Sequence, residues 1–202
     1  MKSLALSIAT ALVCVAVSLA QVDTGKTIGN PSAPIHVDIF SDFSCPHCKV
    51  LHEEVLPLLV QNYVNPGRMY IVLREFPLGG GGHPYSREAA NDATAAARIG
   101  KYMQVSDALF KNQMTWGLNG KVWETVASVL TLSEQNKVKA LAQTAEVTGE
   151  VQRDWEAGTA AQINSTPTLI VTFKGKKYPF SGVPNGPQNY YQILSQFLNS
   201  LK

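Results

Sequence analysis

The hydropathy pattern opens with an uncharged run from Leu4 to Leu19. Met1-Lys2 gives it a positive start, and Ser18-Leu19-Ala20 puts small residues at its exit. These are the three parts of a secretory signal peptide, with cleavage after Ala20. An uncleaved membrane anchor is the alternative. A run of roughly 17 residues is short for crossing a bilayer, and Ser3, Ser7, Thr10 and Ser18 dilute this one. A lipid-bearing cysteine should end such a run. Cys14 does not, so it leaves with the peptide.

Beyond the cut the pattern alternates between strand and helix periods. Residues 21–34 are polar and rich in turn formers, and read as a leader. Ile35 to Phe40 reads as a short strand. From Pro46 to Tyr63, Val50, Leu51, Val55, Leu58 and Leu59 recur at helical spacing, with Pro57 expected to kink the helix. Asn65-Pro66-Gly67 turns the chain into a second strand over 68–76, closed by Pro77. Strand, helix and strand make a βαβ unit with a right-handed crossover. Four glycines at 79–82 follow, and then a helical block. Its helices are expected over 88–98, 101–113 and 121–131, with a fourth capped by Ser133. A helix over 147–163, strands over 168–173 and 177–181 around Lys174-Gly175-Lys176, and a terminal helix over 187–201 complete the chain.

The order is βαβ, a helical block, then αββα. That predicts an α/β thioredoxin fold interrupted by an all-helical subdomain. The expected segments are a signal peptide over 1–20, a leader over 21–34, a first half over 35–78, an insertion over 79–146 and a second half over 147–202.

Composition narrows the function. A chain of 202 residues with 45% hydrophobic residues can bury a core without covalent staples. Lys plus Arg number 17 against 15 Asp plus Glu, a net charge of +2, and no charge block appears. That excludes the basic footprint of a nucleic-acid binder. Three cysteines are too sparse for a disulfide framework. Removing the signal peptide leaves two, Cys45 and Cys48, in one C-x-x-C motif.

The motif sits where the first strand ends and the long helix begins. Unpaired N–H groups and the positive end of the helix dipole favour a thiolate at Cys45. Pro46 suits the first turn because it has no N–H to orphan. His47, when protonated, adds a positive charge near the same sulfur. Cys48, one turn on and buried by the helix, is the internal partner with which Cys45 closes a redox-active disulfide. A structural disulfide is the competing reading. A zinc site would need two more ligands, and His36, His52 and His83 lack paired spacing. His52 reads as a solvated helix residue and His83 as a surface residue beside the glycine loop, with a place in the site as its alternative.

Several stretches together resemble the DsbA-like family of exported thiol-disulfide oxidoreductases. They are residues 29–34 (Gly-Asn-Pro-Ser-Ala-Pro), 40–48 (Phe-Ser-Asp-Phe-Ser-Cys-Pro-His-Cys), 74–78 (Arg-Glu-Phe-Pro-Leu) and 165–168 (Ser-Thr-Pro-Thr). The resemblance covers nearly all of the chain after the signal peptide. It implies catalysis by Cys45 and Cys48, a thiolate favoured by Pro46 and His47, and a cis Pro167 that with Thr166 presents backbone to an extended substrate. It also implies a monomer needing no cofactor or metal, exported clients with free cysteines, and a quinone-coupled membrane partner that reoxidises it. Isomerase or reductase activity of the same fold, and a thiol metal-binding module, are the alternatives. Two departures stand out. The family's buried acid, six residues before the first cysteine, is replaced by Ile39, and Asp38 falls on the opposite strand face. Proton transfer to Cys48 then runs through water or another group such as Glu75. The second departure is the glycine run, in a loop that often carries bulkier residues.

Overall fold

A computed structural model describes residues 25–201. The signal peptide, its cleavage site, Cys14 and the first residues of the leader lie outside the described residues. The central sheet has five strands in the order β1-β3-β2-β4-β5. Strand β2 (Ile35–Ser41) is its middle, parallel to β3 (Met69–Glu75) and antiparallel to β4 (Thr168–Phe173), which pairs with the edge strand β5 (Lys176–Ser181). The parallel β2–β3 pair and the antiparallel β4–β5 pair are those of the expected βαβ and αββα units.

The leader is more than a leader. Thr27–Ile28 forms β1, antiparallel to β3, and Lys26 just before it is 2% exposed. Two residues are too short to show any periodicity, so the strand has no signature in the hydropathy pattern.

The helical run after β2 covers residues 46–64 as α1 (Pro46–Val50), a π-helical segment (Leu51–Val55), α2 (Leu56–Leu59) and a second π-helical segment (Val60–Val64). Pro57 lies at the start of α2, and the wider turn before it is closed by the Leu56 N–H on the Leu51 carbonyl. The missing Pro57 donor is thus absorbed by π geometry ahead of it. The helical block resolves into α3 (Ser86–Ala97), α4 (Tyr102–Lys111), α5 (Gln113–Asn119), α6 (Val122–Ala127) and α7 (Leu132–Ala142). The helix expected over 101–113 ends at Lys111, where Asn112 leaves helical geometry (φ −102°, ψ 15°) and its side chain donates to the Ala108 carbonyl at 2.9 Å. The cap of α7 is Thr131, not Ser133. Thr131 and Glu134 form a reciprocal capping box, which outcompetes a serine inside the first turn.

Alanines at 89, 90, 93, 95, 96 and 97 are all buried, so α3 can pack closely against α4, α7 and α8 (Ala145–Ala160). The main core lies on the sheet face that carries Ile35, Val37 and Ile39. On the other face Phe40, Phe76 and Ile170 form a smaller cluster with Trp155. Gly158 of α8 is required there: a Cβ would stand 2.5 Å from the Phe76 ring. The terminal helix α9 (Pro187–Ser200) docks by Leu194 and Leu198 and receives the Tyr63 hydroxyl at the Ser195 carbonyl, 3.3 Å away. Among the described residues no helix is long and apolar enough to cross a membrane.

Candidate active site around Cys45 and Cys48

Cys45 is the N-cap of α1, with extended backbone (φ −82°, ψ 121°), and Pro46 fills the first turn. The Cys48 and Lys49 N–H groups donate to the Cys45 carbonyl at 3.1 and 3.2 Å, so the helix starts at the first cysteine. One turn on, Cys48 points into the core and is 0% exposed, whereas Cys45 keeps 7%. Both are free thiols in this structure. The segment leading into β4 covers them: the Thr166-Pro167 peptide bond is cis, and the Cys45 thiol donates to the Thr166 carbonyl at 3.3 Å.

The two sulfurs are electrostatically unlike. Cys45 is lowered to about 5, first by the hydrogen bond from the Cys48 side chain, partly opposed by burial. The Thr166 side chain and the backbone N–H groups of Cys48 and His47 lower it further. The Thr166 hydroxyl is buried without another partner, so it is available to a thiolate. His47 contributes through its backbone amide, and its side chain is exposed, as is Pro46. Cys48 is pushed well above its ordinary value, by burial first and then by the Cys45 sulfur. The Asp42 N–H, 3.4 Å from the Cys48 sulfur, and the Ser41 side chain act the other way. One sulfur is therefore an anion at neutral pH and the other a protonated, covered thiol. Such an asymmetry suits thiol-disulfide exchange, which needs one reactive sulfur and one held protonated.

Asp42 organises the loop ahead of the motif. Its buried carboxylate accepts from the Ser44 N–H and the Ser86 hydroxyl, both at 2.7 Å, and from the Leu78 N–H at 2.8 Å. His83 Nδ1 adds a contact at 2.8 Å. His83 is thereby tied to the cysteine loop rather than left on the surface, which was the expected reading. The sequence signal was the aspartate two residues before Ser44, an Asx turn. His52 is also corrected: its ring packs on Phe110 at 4.7 Å and its Nε2 reaches Asp107 at 2.6 Å, so it is a packed residue. Gln113, at the start of α5, donates to the carbonyls of Phe43 and Cys45 at 2.6 and 3.0 Å. It locks the helical insertion to the cysteine loop, and nothing in its sequence context marks it.

At the missing family acid, Ile39 lies on the core face and lines one cavity with Cys48, and Asp38 on the other face accepts from Arg74 at 2.8 Å. The acid that does face the core is Glu75, at the end of β3 and 1% exposed.

A family profile described as Thioredoxin matches residues 21–194. The Na(+)/H(+) antiporter NhaA 1 of Mycolicibacterium gilvum is 29% identical over 152 residues, which are 75% of this chain and 24% of the antiporter. The chain thus spans about a quarter of the length of that relative. A probable disulfide bond formation protein D of Bacillus anthracis is 23% identical over 159 residues, 73% of this chain and 70% of that protein. The crystal structure of oxidised BdbD from Bacillus subtilis superposes with a TM-score of 0.67 at 19% identity, covering 87% of this chain and 91% of that one. The likeness to that structure is one of fold. With 174 contiguous residues under one profile, from 21 to 194, the chain belongs to the thioredoxin family.

Proposed function

We propose that the protein is a DsbA-like thiol-disulfide oxidoreductase that donates disulfides to exported proteins through Cys45 and Cys48. The observation that carries this is the split between the two sulfurs. Cys45 is held at about 5 at a helix start, while Cys48 is buried and pushed well above the ordinary range. Stabilising the Cys45 thiolate stabilises the dithiol form, so the disulfide form is the better oxidant.

The cycle follows from the geometry. A client thiolate attacks Cys45 of the disulfide, forms a mixed disulfide and expels Cys48, which gains a proton. A second client thiolate attacks the client sulfur of the mixed disulfide. The client leaves oxidised, and Cys45 departs as its stabilised thiolate. Thr166 and Pro167 present backbone beside Cys45 to an extended client strand. The Thr166 carbonyl accepts from Cys45 only while that sulfur is protonated, so it is free for a client N–H when Cys45 is a thiolate or in a disulfide. Export, with cleavage after Ala20, places the protein among clients bearing free cysteines. A quinone-coupled membrane partner is the proposed reoxidant. The metal-binding reading is disfavoured because His52 is committed to Asp107 and His83 to Asp42.

The test is disulfide transfer from the oxidised full chain to a reduced, unfolded secreted protein. Transfer should be stoichiometric, be abolished by Cys45→Ser, and accumulate a client-linked species in Cys48→Ala. Tight stoichiometric metal binding by the dithiol form without any disulfide transfer would overturn the reading. N-terminal sequencing of the exported protein should begin at Gln21.

A further inference from the structure

Disulfide exchange leaves a proton problem at Cys48. Its sulfur is fully covered, so a thiolate expelled there or generated there cannot trade its proton directly with bulk water. Ile39, which lines one cavity with Cys48, has no proton to give. The parity of the strands nevertheless brings an acid to the same face. In the parallel pairing of β2 with β3, Ile39 stands opposite Leu73 and Ser41 opposite Glu75. Residues two apart share a face, so Glu75 is one strand across and one pleat along from Ile39.

Cys48, Glu75, Ser41, Tyr102 and Ser106 line one cavity of about 20 Å³, closed by apolar neighbours including Ile39 and Leu73. A single water needs roughly 10–15 Å³ and two to four polar partners. The Ser106 hydroxyl, one turn on from Tyr102, is buried and makes no well-formed hydrogen bond of its own. The Ser41 side chain already reaches Cys48 from the same cavity. A water there would bond Ser106 and bridge the sulfur to the carboxyl.

We propose that Glu75, acting through one water in the cavity it shares with Cys48, supplies and removes the Cys48 proton during disulfide exchange. The proposal rests on the disulfide-exchange reading above. When a client thiolate attacks Cys45, the S–S bond breaks, Cys48 leaves as a thiolate, and the Glu75 carboxylic acid reprotonates it through the water. In the reverse step the Glu75 carboxylate takes the Cys48 proton. The Cys48 thiolate then attacks Cys45, and the client thiolate departs. No other oxidant or reductant is needed.

The surroundings poise Glu75 for both roles. Burial raises it to about 7, opposed by Lys26 and by the Tyr102 hydroxyl, which donates at 2.7 Å, and assisted by Asp154 and Glu150. Lys26 lies 4.0 Å from Glu75, 3.1 Å from Glu150 and 2.6 Å from Asp154. Glu150 pairs with Arg98, which pairs with the exposed Glu146, so the charged chain reaches solvent. Arg74, His52 and Cys48 are the other titratable or charged groups around the cavity.

The test uses the full chain with Cys45 held as a mixed disulfide to a small aromatic thiol, timing release of that thiol by Cys48 across neutral pH. In the wild type the rate should level off above about pH 7. Glu75→Gln should slow release roughly 100-fold at neutral pH, within the usual range for general acid-base transfer. Its rate should then climb about tenfold per pH unit without levelling, because hydroxide replaces the carboxylate. Alkylation of Cys45 in the reduced protein, which expels no Cys48 thiolate, is the control for intact folding and a formed Cys45 thiolate. A purely structural role for Glu75 would lower the melting temperature and leave the profile in place. Release by Glu75→Gln within threefold of wild type, with the same levelling, would overturn the proposal. If that variant does not fold, Glu75→Asp decides: a slower but still levelling profile supports the relay, and a hydroxide-dependent one refutes it. A wild type that releases no thiol at all would sink the disulfide-exchange reading itself, and the relay with it.

Discussion

Alkylation of the reduced protein across pH probes the Cys45 thiolate most simply. Its ordinary value of 9.0 is lowered to about 5. At pH 6 a thiol with a pKa of 5 is about 90% ionised and one of 9 about 0.1%, roughly a 900-fold advantage in thiolate. Nucleophilicity falls with basicity, by about 0.4–0.5 log units per pKa unit, which takes back some 40- to 100-fold over four units. The net expectation is about a tenfold to twentyfold faster reaction at pH 6 than an unperturbed thiol. The rate should rise through a midpoint near 5 and stay flat above it. Mass spectrometry should place the label on Cys45, with Cys48 protected by its complete burial. The same shift has a stability signature. The depressed Cys45 binds fewer protons when folded than when unfolded between about pH 5 and 9. Stability of the dithiol form relative to the disulfide form should therefore grow as pH rises through that window and be lost as pH falls through about 5. A midpoint above pH 8, or equal labelling of both cysteines, would show that Cys45 carries no stabilised thiolate.

Three substitutions probe the scaffold. Asp92 is buried on α3 and raised to about 7, chiefly by burial and next by Glu88, against the pull of Lys139. The folded state then holds the proton longer, so stability falls from about pH 4 to 7; Asp92→Asn should recover up to about 4 kcal/mol at pH 8 and little at pH 4. Urea midpoints that shift equally at both values would contradict this. Gly158→Ala improves helix propensity by about 1 kcal/mol but forces its methyl into the Phe76 ring, and overpacking costs about 1–3 kcal/mol. A net loss of about 1 kcal/mol in thermal unfolding is expected, and a gain would show that the ring yields freely. Asp42→Ala strips the acceptor from Ser44, Leu78, Ser86 and His83, and should cost at least about 3 kcal/mol in urea; a loss under about 1 kcal/mol would mean water replaces the carboxylate.

Strands β2, β3 and β4 and the helix start at Pro46 were readable because each carries its own period or punctuation. The features that shape the site were less so. Lys26 gives no hint of burial, since lysine is among the residues least often buried without a partner. Its partners Glu150 and Asp154 lie 124 and 128 residues further along the chain, numbers 150 and 154 against 26. His83 meets Asp42 across 41 residues, so a local reading places it on the surface. His52 looks solvated by helical period alone, until α4 brings Phe110 and Asp107 over it. Glu75 was nameable only as one possible substitute acid, because its place beside Cys48 depends on the β2–β3 register and its hydrogen bond on Tyr102 from α4. Local chemistry was legible, and long-range charge compensation was not.

On the proposed reading, the electrostatics around the start of α1 make the Cys45–Cys48 disulfide a donor. The equilibrium reduction potential of that pair, measured against glutathione at neutral pH, tests it most directly. A donor should give a value toward the strong-oxidant end, around −120 mV, and a thioredoxin-like value near −270 mV would rule the donor out.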